Sequence, residues 1–413
     1  MVHLQQNKYY PWLLVALLWG VGLLNYLDRQ MLSTMRPAIQ ADIHELSAAT
    51  NFGFLMGIFL WVYGFMSPVA GAIADRVNRK WLIVVSLLVW SGVTFSMGYA
   101  TTFDQLYWLR AVMGVSEALY IPAALALIAD FHQQKTRSLA VGIHMTGLYL
   151  GSALGGFGAT VAAAYTWHFT FHTFGLVGIA YAGLLIIFLR ECPNRTRGHE
   201  LQKAATEKPK IGKAIPVLFS NLAFWIILMY FAVPSLPGWA TKNWLPTLFA
   251  HHLDMPMERA GPLSTMTIAA SSFAGVILGG FLSDKWVLKN IRGRVYTSAI
   301  GLALTIPGLL FMGFGHSLPV LVAAGICFGL GFGMFDANNM PILCQFVAPK
   351  YRATGYGLMN MVGVFSGAFI TDLFGRSTDG GHLGRDFALL SVIVLVALAI
   401  QLMTLKPTVN DFQ

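Results

Sequence analysis

Twelve stretches of about twenty apolar residues, parted by short bursts of charge, constrain this chain more than any other feature. A helix needs about 20 apolar residues to cross the hydrocarbon core of a bilayer. Spans are expected near 11–32, 51–74, 81–101, 105–129, 138–163 and 166–189. A second set follows near 216–241, 260–283, 295–314, 318–344, 352–375 and 385–405. Only 11% of the 413 residues are charged and 56% are hydrophobic, whereas a soluble domain carries about 25% charged residues. No polar region is long enough for a separate soluble domain. The expected class is therefore an all-α polytopic membrane protein with 12 transmembrane helices. The first run has no small-residue cleavage site and reads as a retained helix, not a signal peptide. Cys192, Cys327 and Cys344 show neither disulfide nor metal-ligand spacing, so no metal is expected.

The basic residues orient these spans. Of 27 Lys and Arg, 20 lie at the termini and on one set of alternate loops, including the 190–215 segment. The other loops receive Arg36, Lys242, Arg259, Arg376 and Arg385, and Arg29 and Arg110 fall inside spans. Positive charge collects on the cytoplasmic side, which puts both termini and 190–215 there. The net charge of +9 has this origin, and no nucleic-acid partner is expected. The seventh span is expected to bend at Pro234, Pro237 and Gly238, with Trp244-Leu245-Pro246 following it.

The chain also repeats itself. Segment 190–215 is the longest polar stretch and divides the spans six and six. This gives an N-terminal bundle (1–190), a linker (191–215) and a C-terminal bundle (216–413). Gly71-Ala-Ile-Ala-Asp75-Arg76-Val-Asn-Arg79-Lys80 follows the second span, and Gly280-Phe-Leu-Ser-Asp284-Lys285 follows the eighth, 209 positions later. Phe131…Arg137 through Gly142 returns as Phe346…Arg352 through Gly357, offset by 215. Two pseudo-symmetric six-helix halves create a substrate cavity where they meet, and rocking of one half on the other gives alternating access.

The loop at 71–80, its weaker copy at 280–294 and the six-plus-six layout resemble the major facilitator superfamily over the whole chain. The resemblance implies that Gly71, Asp75, Arg76 and Arg79, with Asp284 in the copy, are gating residues that latch the cytoplasmic helix ends.

Charge inside the bilayer costs at least about 2.5–3.5 kcal/mol per residue on the insertion scale, so each instance asks for a reason. The first span ends in Asn25-Tyr26-Leu27-Asp28-Arg29, and the fourth carries Arg110 and Glu117. Arg110 and Glu117 are seven apart, which puts them within about 20° of one face and roughly 10 Å apart in height. With the first span ending near residue 32, Asp28, Arg29 and Arg110 are expected at one depth, and Glu117 about 10 Å deeper. The four charges are expected to converge on one half of the cavity. They could act as ion pairs that hold two helices together. Alternatively, burial favours the neutral form of a carboxylic acid, which makes Glu117 a candidate proton carrier. Arg keeps its proton and can grip an anion.

Asn25-Tyr26-Leu27-Asp28-Arg29, Arg110, Glu117 and Asn243-Trp244-Leu245-Pro246 together resemble the anion:cation symporter family of sugar-acid and sialin-type carriers. That resemblance implies protonation at Asp28 and Glu117, coupling through Arg110, and contact of Tyr26 and Arg29 with a substrate carboxylate. It implies a proton gradient as energy source and no bound cofactor. Spinster-like lipid transporters look similar at the same tetrad, so an amphiphile carrier is the alternative, along with a proton-coupled carrier of a neutral sugar. Sugar-acid members place a substrate-binding Gln on the fifth helix, whereas this chain has Leu148, with His144 one turn earlier.

His144 is a further candidate ligand for substrate or proton, or a packed polar residue. In the second half Asp336, Asn339 and Asn360 supply hydrogen-bonding groups without a net cation. These amides suit sugar hydroxyls and serve equally as interhelical glue. Trp61, Tyr149 and Trp244 could stack on a sugar or pack between helices. An intramembrane enzyme is not expected, because no His-Glu-x-x-His, Gly-x-Gly-Asp or placed Ser/His pair is present. The expected molecule is a monomeric carrier surrounded by lipid. Its short loops, and the one sequon Asn194-Arg195-Thr196 on the cytoplasmic side, suit a bacterial inner membrane.

Overall fold

The computed structural model describes residues 9–132, 134–191, 211–348 and 351–407. The first half contains α1 (Tyr10–Ile39), α2 (Ala49–Arg76), α3 (Arg79–Met97), α4 (Phe103–Ala118), α5 (Tyr120–Phe131), α6 (Gln134–Gly155), α7 (Gly158–Ala164) and α8 (Trp167–Phe188). The second contains α9 (Ile211–Phe219), α10 (Leu222–His252), α11 (Met257–Val287), α12 (Gly293–Phe314), α13 (Leu318–Asp336), α14 (Asn339–Phe346), α15 (Arg352–Asp379) and α16 (Leu383–Thr404). Among the described residues there is no strand. Eleven apolar segments are long enough to cross a membrane, with α4–α5 and α13–α14 each one segment. The pair α6–α7, bent by 41°, makes a twelfth. Polar side chains start several of these helices: Asn78, Thr102, Thr166 and Asn221 each accept a hydrogen bond from a first-turn backbone N–H.

The halves repeat one pattern of packing. In the first, α1 lies on α6, α2 on α4 and α3 on α8; in the second, α10 lies on α15, α11 on α13 and α12 on α16. Counted as spans, first meets fifth, second meets fourth and third meets sixth, and the later six do the same. The fourth and tenth spans also break alike, at Leu119 and at Ala337–Asn338. Close approach in the first half depends on glycine. A Cβ at Gly147 or Gly155 would stand 2.6 or 2.7 Å from the carbonyl oxygens of Trp19 or Leu27, so this row of small residues lets α6 lie directly on the α1 backbone.

Two boundaries move from their expected places. The first helix runs on to Ile39, seven residues past the expected end. The seventh span is Leu222–His252, with Pro234, Pro237 and Pro246 inside it, and Ile211–Phe219 forms a separate short helix. Proline interrupts one backbone donor, but surrounding helices can carry the chain through such a point. Arg36, Lys242 and Arg376, expected in loops, are consequently helical. Linker residues 192–210 lie outside the described residues.

With six spans in each half, Tyr10, Phe188, Ile211 and Thr404 lie toward one end of the bundle. At the opposite, far end the halves are in contact. Thr160 Oγ1 donates to the Glu258 carbonyl (2.7 Å) and Thr265 Oγ1 to that of Ala153 (3.1 Å). The Asp379 carboxylate caps α2, accepting from the N–H groups of Ala49 and Thr50 at 2.6 and 2.8 Å. Gly156 and Gly261 meet backbone to backbone, where a Cβ on either would reach the other's carbonyl oxygen at 2.9 or 2.5 Å. Gly156→Leu is expected to hold these ends apart. Cysteines at Thr160 and Glu258 should cross-link in the otherwise native chain and fail to do so with Leu at 156; equal cross-linking would refute a role for the glycine contact.

Candidate functional site

Helical spacing gives α1 three working faces. Asn25 and Arg29, one turn apart, reach α4; Tyr26 and Gln30, also one turn apart, face the central cavity; Asp28 turns to α3. On the first face Glu117 Oε2 accepts from Arg29 Nε at 2.5 Å and from Asn25 Nδ2 at 3.0 Å. On the third, Thr94 Oγ1 donates to Asp28 Oδ2 at 3.3 Å. Asn25, Asp28, Arg110 and Glu117 are buried, Glu117 completely. A buried ion pair of this kind is costly to desolvate and holds only while both partners are present.

Aromatic faces hold the two cations. The Arg29 guanidinium lies 5.0, 4.9 and 4.6 Å from the ring centres of Tyr26, Phe59 and Tyr63. That of Arg110 lies 4.5 Å from Phe59, so the two like charges share one phenyl ring. Among the described residues Arg110 forms no ion pair; its Nη1 contacts Met113 Sδ at 3.1 Å. Asp28 Oδ1, Glu117 Oε1, Arg29 Nη2 and Arg110 Nε are buried without a hydrogen-bond partner among the described residues. Such a set is rare in a purely structural cluster and leaves acceptor atoms for a proton.

The depth expected from sequence is corrected here. Arg29 does not stand above Glu117 but directly against it, because seven further residues of α1 place Arg29 about 10 Å deeper than a helix ending at residue 32 would. The expectation that all four charges line the cavity is corrected too. Of α1, the side chains at the cavity wall are Tyr26 and Gln30, with the Arg29–Glu117 pair behind them.

The cavity itself lies between the halves and, with the solvent at its open mouth, takes in about 820 Å³ of unfilled space. Hydroxyl-bearing Tyr149, Ser152, Thr241, Ser264, Thr265 and Ser272 line it, together with apolar Met145, Leu148, Phe328 and Phe332. It also carries one cation and one anion, Lys242 and Asp336. Lys242 was expected in a loop, and the second half was expected to offer no cation; the long α10 overturns both. The signal that could have found it is the internal repeat, which sets Lys242 opposite Arg29.

The other candidates are distributed unevenly. Asn339 is buried beside the cavity and donates to Asp336 Oδ1 at 3.1 Å. His144 is fully buried against Tyr120, with ring centres 5.9 Å apart, and is not at the cavity wall. Trp244 is fully buried and packs edge-on to Phe52 across the halves, its Nε1 donating to the Thr371 carbonyl. Asn360 Nδ2 donates to Ser67 Oγ at 3.2 Å, again from half to half. The structure thus brings Asn25, Asp28, Arg29, Arg110 and Glu117 into one cluster and Tyr26 to the cavity, with Asn339 behind Asp336 of its wall. It places His144, Trp244 and Asn360 in packed contacts.

In the 71–80 segment, Gly71 and Arg76 lie on α2, Arg76 exposed, and the Asp75 side chain lies outside what the structure describes. Arg79 is buried and forms an ion pair with Asp130, donating also to the Ala126 carbonyl at 3.2 Å. That pair ties the α2–α3 turn to the end of α5 within the first half. Asp284 is exposed on α11 and forms no ion pair among the described residues.

Comparison with known proteins places this geometry in context. A profile described as Major Facilitator Superfamily matches residues 18–371. The sphingosine-1-phosphate transporter SPNS2 of Mus musculus is 26% identical over 399 residues, covering 89% of this chain and 71% of its own. The hexuronate transporter of Bacillus subtilis is 25% identical over 395 residues, covering 86% and 90%. Among solved structures, a bacterial homologue of the human lysosomal transporter Spinster, in an inward-facing and unoccupied conformation, superposes with a TM-score of 0.80 at 19% identity. It covers 97% of this chain and 98% of that one.

Proposed function

The chain belongs to the Major Facilitator Superfamily, and from that premise we propose that it is a proton-coupled symporter that imports a small organic anion of the sugar-acid kind. The observation that carries this reading is the buried Arg29–Glu117 pair with Asp28 close by, set one side chain behind a cavity rich in hydroxyl groups. A proton on Glu117 removes the charge that holds Arg29, so the ion pair is the natural place for protonation to change how α1 sits on α4. Asp28, which accepts from Thr94, is the second protonation site, and Arg110 keeps the cluster's charge balanced without forming an ion pair to either acid among the described residues. The hexuronate transporter's name supports an acidic sugar as substrate. In this reading both termini are cytoplasmic, the membrane is a bacterial inner membrane and one chain is a complete carrier.

A second reading, export or release of an amphiphile, is favoured by apolar Phe328, Phe332, Leu148 and Met145 in the cavity lining and by the likeness to SPNS2. Purified protein in proteoliposomes separates the two. Under an inward proton gradient, radiolabelled glucuronate or galactonate is expected to accumulate at least severalfold above equilibrium, and collapsing the gradient should abolish this. Thermal stabilisation by sphingosine, with none by either sugar acid, would replace the first reading with the second.

A further inference from the structure

The charged pair in the cavity wall occupies, in the second half, the place that Arg29 and Glu117 occupy in the first. Lys242 stands 213 positions after Arg29 and Asp336 stands 219 after Glu117, alongside the loop echoes at 209 and 215. Each cation is on the opening span of its half. Each acid ends or nearly ends the first segment of a broken span, Glu117 in α4 and Asp336 in α13. The two pairs differ in one respect. Arg29 is bound to its acid and shielded by three rings, whereas Lys242 forms no ion pair among the described residues. Its ammonium lies 4.8 Å from the Trp239 ring centre, and its carbonyl accepts from Gln30 Nε2 at 2.7 Å. Asp336 is steadied by Asn339 Nδ2. The repeat has therefore produced one closed pair and one open pair.

We propose that Lys242 is the anchor for the substrate's carboxylate and that Asp336 accepts hydrogen bonds from hydroxyl groups of the same molecule, while Arg29 stays with Glu117. The proposal rests on the sugar-acid reading and changes it in one point, moving the anion from the α1 arginine to the α10 lysine. An ammonium offers three donors and no acceptor, and a carboxylate is acceptor only. A hydroxylated acid presents the reverse set: an acceptor for Lys242 and donors for Asp336. The N-terminal cluster, with Arg29 already paired to Glu117, is then free to handle the proton alone.

Two measurements on the intact protein test this, with glucuronate as the charged probe and glucuronamide as its neutral match. In the native chain, glucuronate should protect Lys242 from an amine-acylating reagent, read by peptide mass spectrometry, and glucuronamide should not. Lys242→Gln should weaken glucuronate binding about tenfold or more, the size of a lost charge-assisted hydrogen bond, and should leave glucuronamide binding within about twofold. Absence of protection, or glucuronate affinity within twofold of native in Lys242→Gln, would overturn the assignment. The labelling result decides alone if that variant does not fold. A native protein that binds glucuronate with Lys242 unprotected defeats this inference only. One that binds neither glucuronate nor galactonate defeats the sugar-acid reading beneath it as well.

Discussion

Glu117→Gln is expected to abolish accumulation against a gradient while counterflow exchange continues within a few-fold of the native rate. Glutamine keeps the length of the side chain and an oxygen that can accept from Arg29 Nε and Asn25 Nδ2, the two donors on Glu117 in the native chain. It cannot take up or release a proton. The halves can therefore still rock with substrate bound, but no proton moves with it. Proteoliposomes loaded with unlabelled sugar acid measure the exchange, and the same vesicles with an imposed proton gradient measure accumulation. Full accumulation by the glutamine variant would remove Glu117 from the coupling path.

Arg29→Ala has the largest expected effect on stability. It leaves a completely buried carboxylate without its cation, a change that costs about 3–5 kcal/mol when one member of a buried pair is removed. The effect should be conditional on the acid: in a Glu117→Gln background the same substitution should cost much less. A double-mutant cycle of thermal unfolding measures the difference, and equal losses in the two backgrounds would mean that the 2.5 Å contact contributes no coupling. Arg29→Lys is not expected to restore the native state, because an ammonium cannot both reach Glu117 and lie against the rings of Tyr26, Phe59 and Tyr63 as a flat guanidinium does.

The spans and their number were legible in the sequence because a bilayer demands an uninterrupted apolar length, and that demand is local. Which charges meet was partly legible. The seven-residue spacing of Arg110 and Glu117 correctly puts both in one buried cluster, yet nothing in the spacing says that Arg29 and not Arg110 is the partner of Glu117. That depends on how far α1 continues, and Ser33, Thr34 and Arg36 make its last turns look like a loop. Ser33 and Thr34 satisfy themselves by bonding back to the carbonyls of Gln30 and Met31, so the helix proceeds past them. The same error recurs at Lys242, where three prolines suggested an end to the span and the neighbouring helices carry it on. Packing between distant segments was not legible: the glycine row of α6 is visible as letters, but its partner on α1 is not.

At Gly156 and Gly261 the bundles come close enough for main chain to meet main chain, with the Thr265 and Thr34 side chains beside the contact. A contact of that sort resembles a smooth bearing more than a clasp. It sets the distance between two rods without specifying their angle, so turning one against the other breaks few interactions there. The resistance that does exist comes from the hydroxyl bonds of Thr160 and Thr265 and from the Asp379 cap on α2. Thr160 and Asp379 make their bonds through other residues than the two glycines, so the speed of the turnover can be altered there without displacing the pivot.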